Sequence, residues 1–104
     1  MTQTESILAL LDALQTELSQ QNLWQTVPPT DEALASEQPF AIGTLAPHEW
    51  LQWIFIAKLH WMHSQNMSLP KGFEVTPYFE QVWQEKPEYR QLLVILNKID
   101  EACA

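Results

Sequence analysis

Proline and glycine are distributed along this sequence in a way that favours helices separated by connections. The chain of 104 residues contains seven prolines and only two glycines, Gly43 and Gly72, whereas average usage would give about seven glycines. Most of the prolines lie between segments in which apolar residues recur every three or four positions, the period of an amphipathic helix. No segment shows the alternation typical of a half-buried strand. The pattern therefore predicts an all-α protein.

Four segments carry this helical period. The first extends from about residue 3 to 21 and opens with Thr2 and Glu5 at capping-box spacing. The second begins at Pro47, whose missing N–H costs nothing at the first position of a helix, and extends to about Gln65.

The two later helices follow at shorter intervals. Thr76 is expected to cap the third, with Pro77 at its first helical position. Pro87 ends that helix and begins the fourth, which extends to about residue 102. The arrangement predicts a compact bundle of four main helices with a long first crossover connection.

The crossover, residues 22–46, has little periodicity of its own. Thr30 and the acidic residues after it suit the start of a short helix. Because a long structureless loop is unusual inside a compact domain, we expect apolar residues to anchor the crossover across the helices. The anchors are Trp24, Leu34, Phe40 and Ile42.

Composition narrows the class of protein. Thirteen acidic against five basic residues give a formal net charge of −8, which argues against direct nucleic-acid binding, since that affinity comes largely from Lys and Arg.

The length predicts a single domain, residues 1–104. There is no basic region ahead of an apolar stretch as in a secretory signal, and no run of about 18 apolar residues as in a membrane span. Together with the lone Cys103, these features predict a cytoplasmic protein.

The second helix carries a wide apolar arc, which is typical of a central helix contacted from several directions. Lys58 falls near the middle of this arc on a uniform helical wheel. Its ammonium group can reach water along its own aliphatic stem. Alternatively, Lys58 lines a pocket or groove that takes an acidic or aromatic group of a partner.

The polar side of the same helix holds Trp53, His60 and His63. Two histidines three residues apart share a helix face and could bind a metal only with a third ligand from elsewhere. We favour a solvated or core-rim histidine pair and predict no metal and no cofactor. No nucleophile elbow or glycine-rich phosphate loop is present, and the acidic neighbours of Cys103 raise a thiol pKa, so we predict no catalytic residues and no enzymatic activity.

Several short motifs resemble those of the YqcC-like family, small bacterial proteins of unknown function. They are Gln38-Pro39-Phe40, Glu49-Trp50-Leu51-Gln52-Trp53 with Ile56 to Leu59, Leu69-Pro70, and Pro77-Tyr78-Phe79-Glu80. The sequence departs from the family at Ala57, where a proline is common. The resemblance implies an all-helical fold and, because family members are often encoded beside or fused to a tRNA pseudouridine synthase, a role near RNA modification. It implies no catalytic residues.

Two functional hypotheses remain open. The first is a non-enzymatic protein-interaction module whose partner is a protein, with a tRNA pseudouridine synthase as the candidate. The second is a small-ligand or metal-binding domain that uses the polar stripe of the second helix. For either function, the predicted binding residues are Trp53, Lys58, His60 and His63.

Overall fold

A computed structural model describes residues 3–104, with side chains from residue 5 onward. It contains no strand in these residues, and its helices confirm the predicted all-α bundle with a long first crossover. Thr2, the predicted start of the first capping box, lies outside the described residues. The helices are α1 (Gln3–Gln20), α2 (Asp31–Leu34), α3 (47–64, in the successive segments Pro47–Trp50, Leu51–Ile56 and Ala57–Ser64), α4 (Thr76–Val82) and α5 (Arg90–Ala102), with 3-10 turns at Pro39–Ala41 and Pro87–Tyr89.

The first and last helices pack against each other and form the base of the core. Each contributes a stripe of apolar side chains at helical spacing that is almost completely removed from solvent. Burying a side chain of this size contributes about 1.5–3 kcal/mol, so the stripes supply much of the driving force for folding. The stripes are Ile7, Leu11, Leu14 and Leu18 on α1, and Leu92, Ile95, Leu96 and Ile99 on α5.

The two longest helices end in the same way. Asn22 after α1 and Asn66 after α3 adopt left-handed backbone conformations, with φ of 60° and 58°. In each case the next amide donates to a carbonyl five residues back, Leu23 to Leu18 and Met67 to Met62, at 2.9 Å. This left-handed cap satisfies carbonyl groups that the helix leaves open and turns the chain away.

The crossover is anchored, but not by every predicted residue. Thr30 caps α2 as predicted, since its hydroxyl accepts from the Ala33 N–H at 3.1 Å. The prediction for Ile42 was wrong, because its side chain is 53% exposed. Phe40 and Ala41 both have positive φ, 55° and 52°, and the resulting tight turn buries Ala41 in place of Ile42.

Helix α3 is not a uniform α-helix. Leu51–Ile56 forms a π-helical segment, which accommodates one more residue per turn than an α-helix and so changes the direction in which all following side chains point. Lys58, placed by a uniform wheel in the middle of the apolar arc, is exposed. Leu51, Phe55 and Leu59 are buried. The helix is therefore enclosed along one side, while much of its C-terminal half faces solvent.

The start of α4 corrects another prediction. Thr76 makes no capping hydrogen bond. The buried carboxylate of Asp100 on α5 takes that role, accepting from the N–H groups of Val75 at 3.0 and 3.1 Å and of Thr76 at 2.9 Å. The Gly72 N–H also donates to the Cys103 carbonyl at 2.6 Å. The loop 66–75 is thus fastened to the C-terminal end of α5.

We expect the substitution Asp100→Asn to lower the free energy of unfolding by about 2 kcal/mol, because hydrogen bonds to a buried charged acceptor contribute about 1.5–3 kcal/mol. Urea unfolding followed by circular dichroism measures the change. Asp12→Asn, an equivalent change on the exposed face of α1, serves as the control and should alter stability by less than about 0.5 kcal/mol. Equal effects of the two substitutions would contradict the capping role of Asp100.

Candidate functional site

A groove with a mainly apolar lining runs along one side of α3. Its volume is about 460 Å³, and it lies between α3, the Pro39–Phe40 turn of the crossover and the segment 70–75. We call it the apolar groove. The residues that line it are Pro39, Phe40, Trp50, Ile54, Phe55, Lys58, Leu59, Met62, Pro70, Phe73, Glu74 and Val75.

Four aromatic rings form much of the groove lining, and they contact one another in sequence. The Phe40 and Trp50 ring centroids are 4.8 Å apart, those of Trp50 and Phe55 5.5 Å, and those of Phe55 and Phe73 5.8 Å. On its other side Phe40 stacks on Tyr78, with centroids 4.1 Å apart and an interplanar angle of 8°. These mutual contacts fix the rings, so the groove is formed before any ligand binds.

The groove lining contains two charged side chains, and two large apolar residues close to it in the chain are exposed. Lys58 and Glu74 are the charged residues in its lining, and both are exposed. Trp61, less than one turn beyond Lys58 on α3, is 57% exposed, and Met67, just after α3, is 46% exposed. Large exposed apolar side chains next to an apolar depression are typical of interaction sites.

The structure separates the four residues predicted to form a site. Lys58 lines the apolar groove. Trp53 does not line it and donates from its indole Nε1 to Gln25 Oε1 at 2.7 Å. His60 and His63 are exposed and also lie outside the groove lining. Within residues 3–104 no three His, Cys, Asp or Glu side chains are grouped in a way that would hold a metal ion.

Gln25, in the crossover, makes four hydrogen bonds to the polar side of α3. The sequence did not predict this role. Gln52 clamps its backbone, accepting from the Gln25 N–H and donating to the Gln25 carbonyl, each at 2.7 Å. The Gln25 side chain donates to Glu49 Oε2 at 3.1 Å and accepts from Trp53. The N-terminal part of the polar side of α3 therefore holds the crossover in place. His60 and His63, further along the helix, take no part in these hydrogen bonds.

Burial shifts the pKa of three groups in the folded protein. It lowers the pKa of His48 from its usual 6.5, against a smaller opposing effect of Glu49, so protonation of His48 destabilises the fold as pH falls below about 6.5. Burial raises the pKa of Tyr78, which stacks on Phe40. Burial, with a further contribution from the Asp100 charge, raises the pKa of the Cys103 thiol, and this agrees with the predicted direction and makes the thiol a poor nucleophile.

These features define a small all-α protein with a preformed apolar groove on its surface. A family model described as tRNA pseudouridine synthase C matches residues 6–102. The chain belongs to this family, and specifically to the YqcC-like proteins that its motifs resemble. None of the helices within residues 3–104 combines the length and the apolar character needed to span a bilayer.

Relatives of similar length support this assignment. The chain is 42% identical over 91 residues to a Haemophilus influenzae protein named "Uncharacterized protein", covering 88% of this chain and 86% of that one. It is 33% identical over 101 residues to "Uncharacterized protein YqcC" of Escherichia coli strain K12, covering 96% and 93%. The solution NMR structure of YqcC from E. coli superposes with a TM-score of 0.87 at 32% identity, covering 100% of this chain and 90% of that one.

One relative is a much longer protein. The chain is 30% identical over 84 residues to the tRNA pseudouridine synthase C of Pectobacterium carotovorum subsp. carotovorum. The match covers 81% of this chain but only 22% of that protein. The conserved unit thus occurs there as one part of a larger polypeptide.

We expect Gln52→Leu to lower the free energy of unfolding by about 2 kcal/mol, because it removes both hydrogen bonds to the half-buried backbone of Gln25, each of which contributes about 0.5–1.5 kcal/mol. Chemical unfolding measures the loss, and amide exchange at Gln25 should accelerate. Gln81→Leu, the same change at an exposed position of α4, is the control. If both variants unfold at the same denaturant concentration, the clamp does not hold the crossover.

Proposed function

We propose that this chain is a non-enzymatic protein-interaction module that binds an apolar segment of a partner protein in the apolar groove. The observation that carries the proposal is the groove itself, a concave surface of rigid aromatic side chains with exposed apolar residues beside it. Burial of aromatic side chains in such depressions supplies most of the binding energy at protein interfaces. Catalysis would need a group of reactive side chains converging on the groove, and its lining residues contain only Lys58 and Glu74 as ionisable groups.

A tRNA pseudouridine synthase is the partner we propose. The family description carries that name, and in the Pectobacterium protein the matching unit occupies about a fifth of a polypeptide with the same name. A unit that is part of a longer polypeptide in Pectobacterium and nearly the whole protein in the Escherichia coli relative can act on the same catalytic domain in both arrangements. The net charge of −8 also favours a partner with a basic surface, as a tRNA-binding enzyme requires.

A second candidate function is the binding of a small amphipathic molecule in the same groove. Its volume of about 460 Å³ lies within the range of about 300–1,000 Å³ found for small-molecule sites. The Lys58 ammonium would then pair with an acidic group of the ligand. Of the four residues predicted to bind such a ligand, only Lys58 lines the groove. Trp53, His60 and His63 lie outside its lining.

Titration of the purified tRNA pseudouridine synthase C of the same organism into this protein, followed by calorimetry, tests the proposed function. We expect saturable binding that Ile54→Glu weakens at least about tenfold, a cost of about 1.4 kcal/mol, because it places a carboxylate inside the apolar groove. Val27→Glu is the matched control, since Val27 is 75% exposed and lies outside the groove lining. Absence of heat with the unmodified protein, or equal losses in both variants, would overturn the proposal.

Lys58→Met separates a binding role for this residue from a structural one. Lys58 is exposed and lines the groove, so we expect the melting temperature to change by less than about 2 °C while affinity for the synthase falls by about tenfold. Lys86→Met, an exposed lysine outside the groove lining, is the control. Unchanged affinity in Lys58→Met would show that the ammonium group only extends into water.

A further inference from the structure

The formal charge of this chain is unevenly distributed. Residues 50–73 contain Lys58 and Lys71 and no Asp or Glu, so this stretch has a charge of +2. The other residues contain three basic against thirteen acidic side chains, so they have a charge of −10. Most of the residues that line the apolar groove belong to the stretch without acids. The groove is therefore built mainly from the positively charged part of an acidic chain.

The two lysines of this stretch lie towards the same end of the groove. The loop that follows α3 returns along the groove, because the Phe73 ring contacts Phe55 in the middle of the helix, with centroids 5.8 Å apart. Lys71 lies on this returning path, and Lys58 lies on α3 between Phe55 and the end of the helix. We call the part of the groove at Lys58 and Lys71 the basic end.

The opposite end of the groove has a different charge. Among the described residues, its lining contains one acidic side chain, that of Glu74. Glu74 follows Phe73, and the chain continues from there to Tyr78, which stacks on Phe40 at the end of the groove formed by the crossover. The groove is therefore polar along its length, with Glu74 further from the end of α3 than the lysines are.

Both lysines are available to a partner. They are exposed, and neither forms an ion pair within residues 3–104. Charges more than about 8 Å apart are largely screened at physiological ionic strength. The local positive charge, rather than the net charge of −8, therefore decides which segment the basic end favours, and carboxylates are the side-chain groups that complement two ammonium groups.

The α3 wall of the groove suits a helical occupant. Trp50, Ile54, Lys58 and Met62 line the groove at intervals of four residues, which gives a row about 18 Å long at a rise of 1.5 Å per residue. Such rows pack into the grooves between the rows of a second helix, and this length corresponds to about three helical turns. Trp61, which is 57% exposed, neighbours Lys58 on the helix surface and extends the apolar contact past the basic end.

We infer that the partner segment held in the apolar groove is an amphipathic helix of about three turns whose C-terminal residues are acidic and pair with Lys58 and Lys71. The inference rests on the proposed function and deepens it, since it states the chemistry of the partner segment. The partial negative charge at the C-terminus of a helix adds to the attraction. Binding in the reverse direction would place the carboxylates towards Glu74, so the charges also fix the orientation of the helix.

Three synthetic peptides test the inference on the full chain. Each carries the same apolar residues at helical spacing over about three turns, and they differ only in ending with glutamates, glutamines or lysines. Calorimetry measures their affinities, and chemical-shift perturbation on the isotopically labelled protein locates them. We expect all three to perturb the amides of Ile54 and Phe73, and the glutamate peptide to perturb those of Lys58 and Lys71 as well.

The affinities should follow the charge of the last residues. We expect the glutamate peptide to bind about fivefold more tightly than the glutamine peptide, as two exposed ion pairs allow, and the lysine peptide to bind most weakly. Raising the salt concentration to about 1 M, where the screening length falls to about 3 Å, should remove most of these differences.

The double substitution Lys58→Gln with Lys71→Gln should reduce the preference for the glutamate peptide to less than about twofold, because it removes both ammonium groups of the basic end. Lys86→Gln with Lys98→Gln is the matched control, since these lysines are exposed and lie outside the groove lining. It removes the same net charge and should preserve the preference.

The outcomes separate the two proposals. If the three peptides perturb the groove but bind equally well, or if Lys58→Gln with Lys71→Gln leaves the preference intact, the inference fails while the groove still binds apolar segments. An RNA oligonucleotide that perturbs Lys58, Trp61 and Lys71 and displaces the glutamate peptide would also overturn it, since the basic end would then be a nucleic-acid site. If no peptide perturbs the groove and the synthase also produces no heat, the proposed function fails together with the inference.

Discussion

The buried carboxylate of Asp100 is the interaction on which the candidate site depends. It joins three parts of the structure, because it lies on α5, accepts hydrogen bonds from the backbone of Val75 and Thr76, and so fixes the start of α4. The residues just before this point, Phe73 and Glu74, form one wall of the apolar groove. A single charged acceptor thus sets the position of that wall relative to the α1–α5 base.

The crossover forms the opposite wall by a different device. Gln52 holds the backbone of Gln25 through a pair of hydrogen bonds resembling one step of a sheet ladder, and further along the crossover Phe40 packs between Trp50 and Tyr78. Polar side chains therefore fix the beginning of this connection and aromatic side chains fix its end. A groove with two walls fastened in this way keeps its shape without a ligand, which lowers the entropic cost of binding.

The sequence predicted the helices well, because their apolar residues repeat over many turns and proline marks their starts. It failed where the backbone departs locally from the regular pattern: the π-helical segment Leu51–Ile56 was not predicted, and the positive φ of Phe40 and Ala41 turned Ile42 outward. For the site, Lys58 was identified from its unusual position among apolar residues. Phe73 and Glu74 were not, since the loop that carries them has no periodicity and is placed only by the distant Asp100.

Cys103 gives this architecture a built-in chemical reporter. Its side chain is fully buried, burial raises its pKa, and its carbonyl accepts the hydrogen bond that fastens Gly72 to α5. An alkylating reagent therefore reaches the thiolate only when the end of α5 separates from the core. Because Cys103 is the one cysteine of the chain, its rate of alkylation measures, without any introduced label, how often the end of α5 that holds the loop opens.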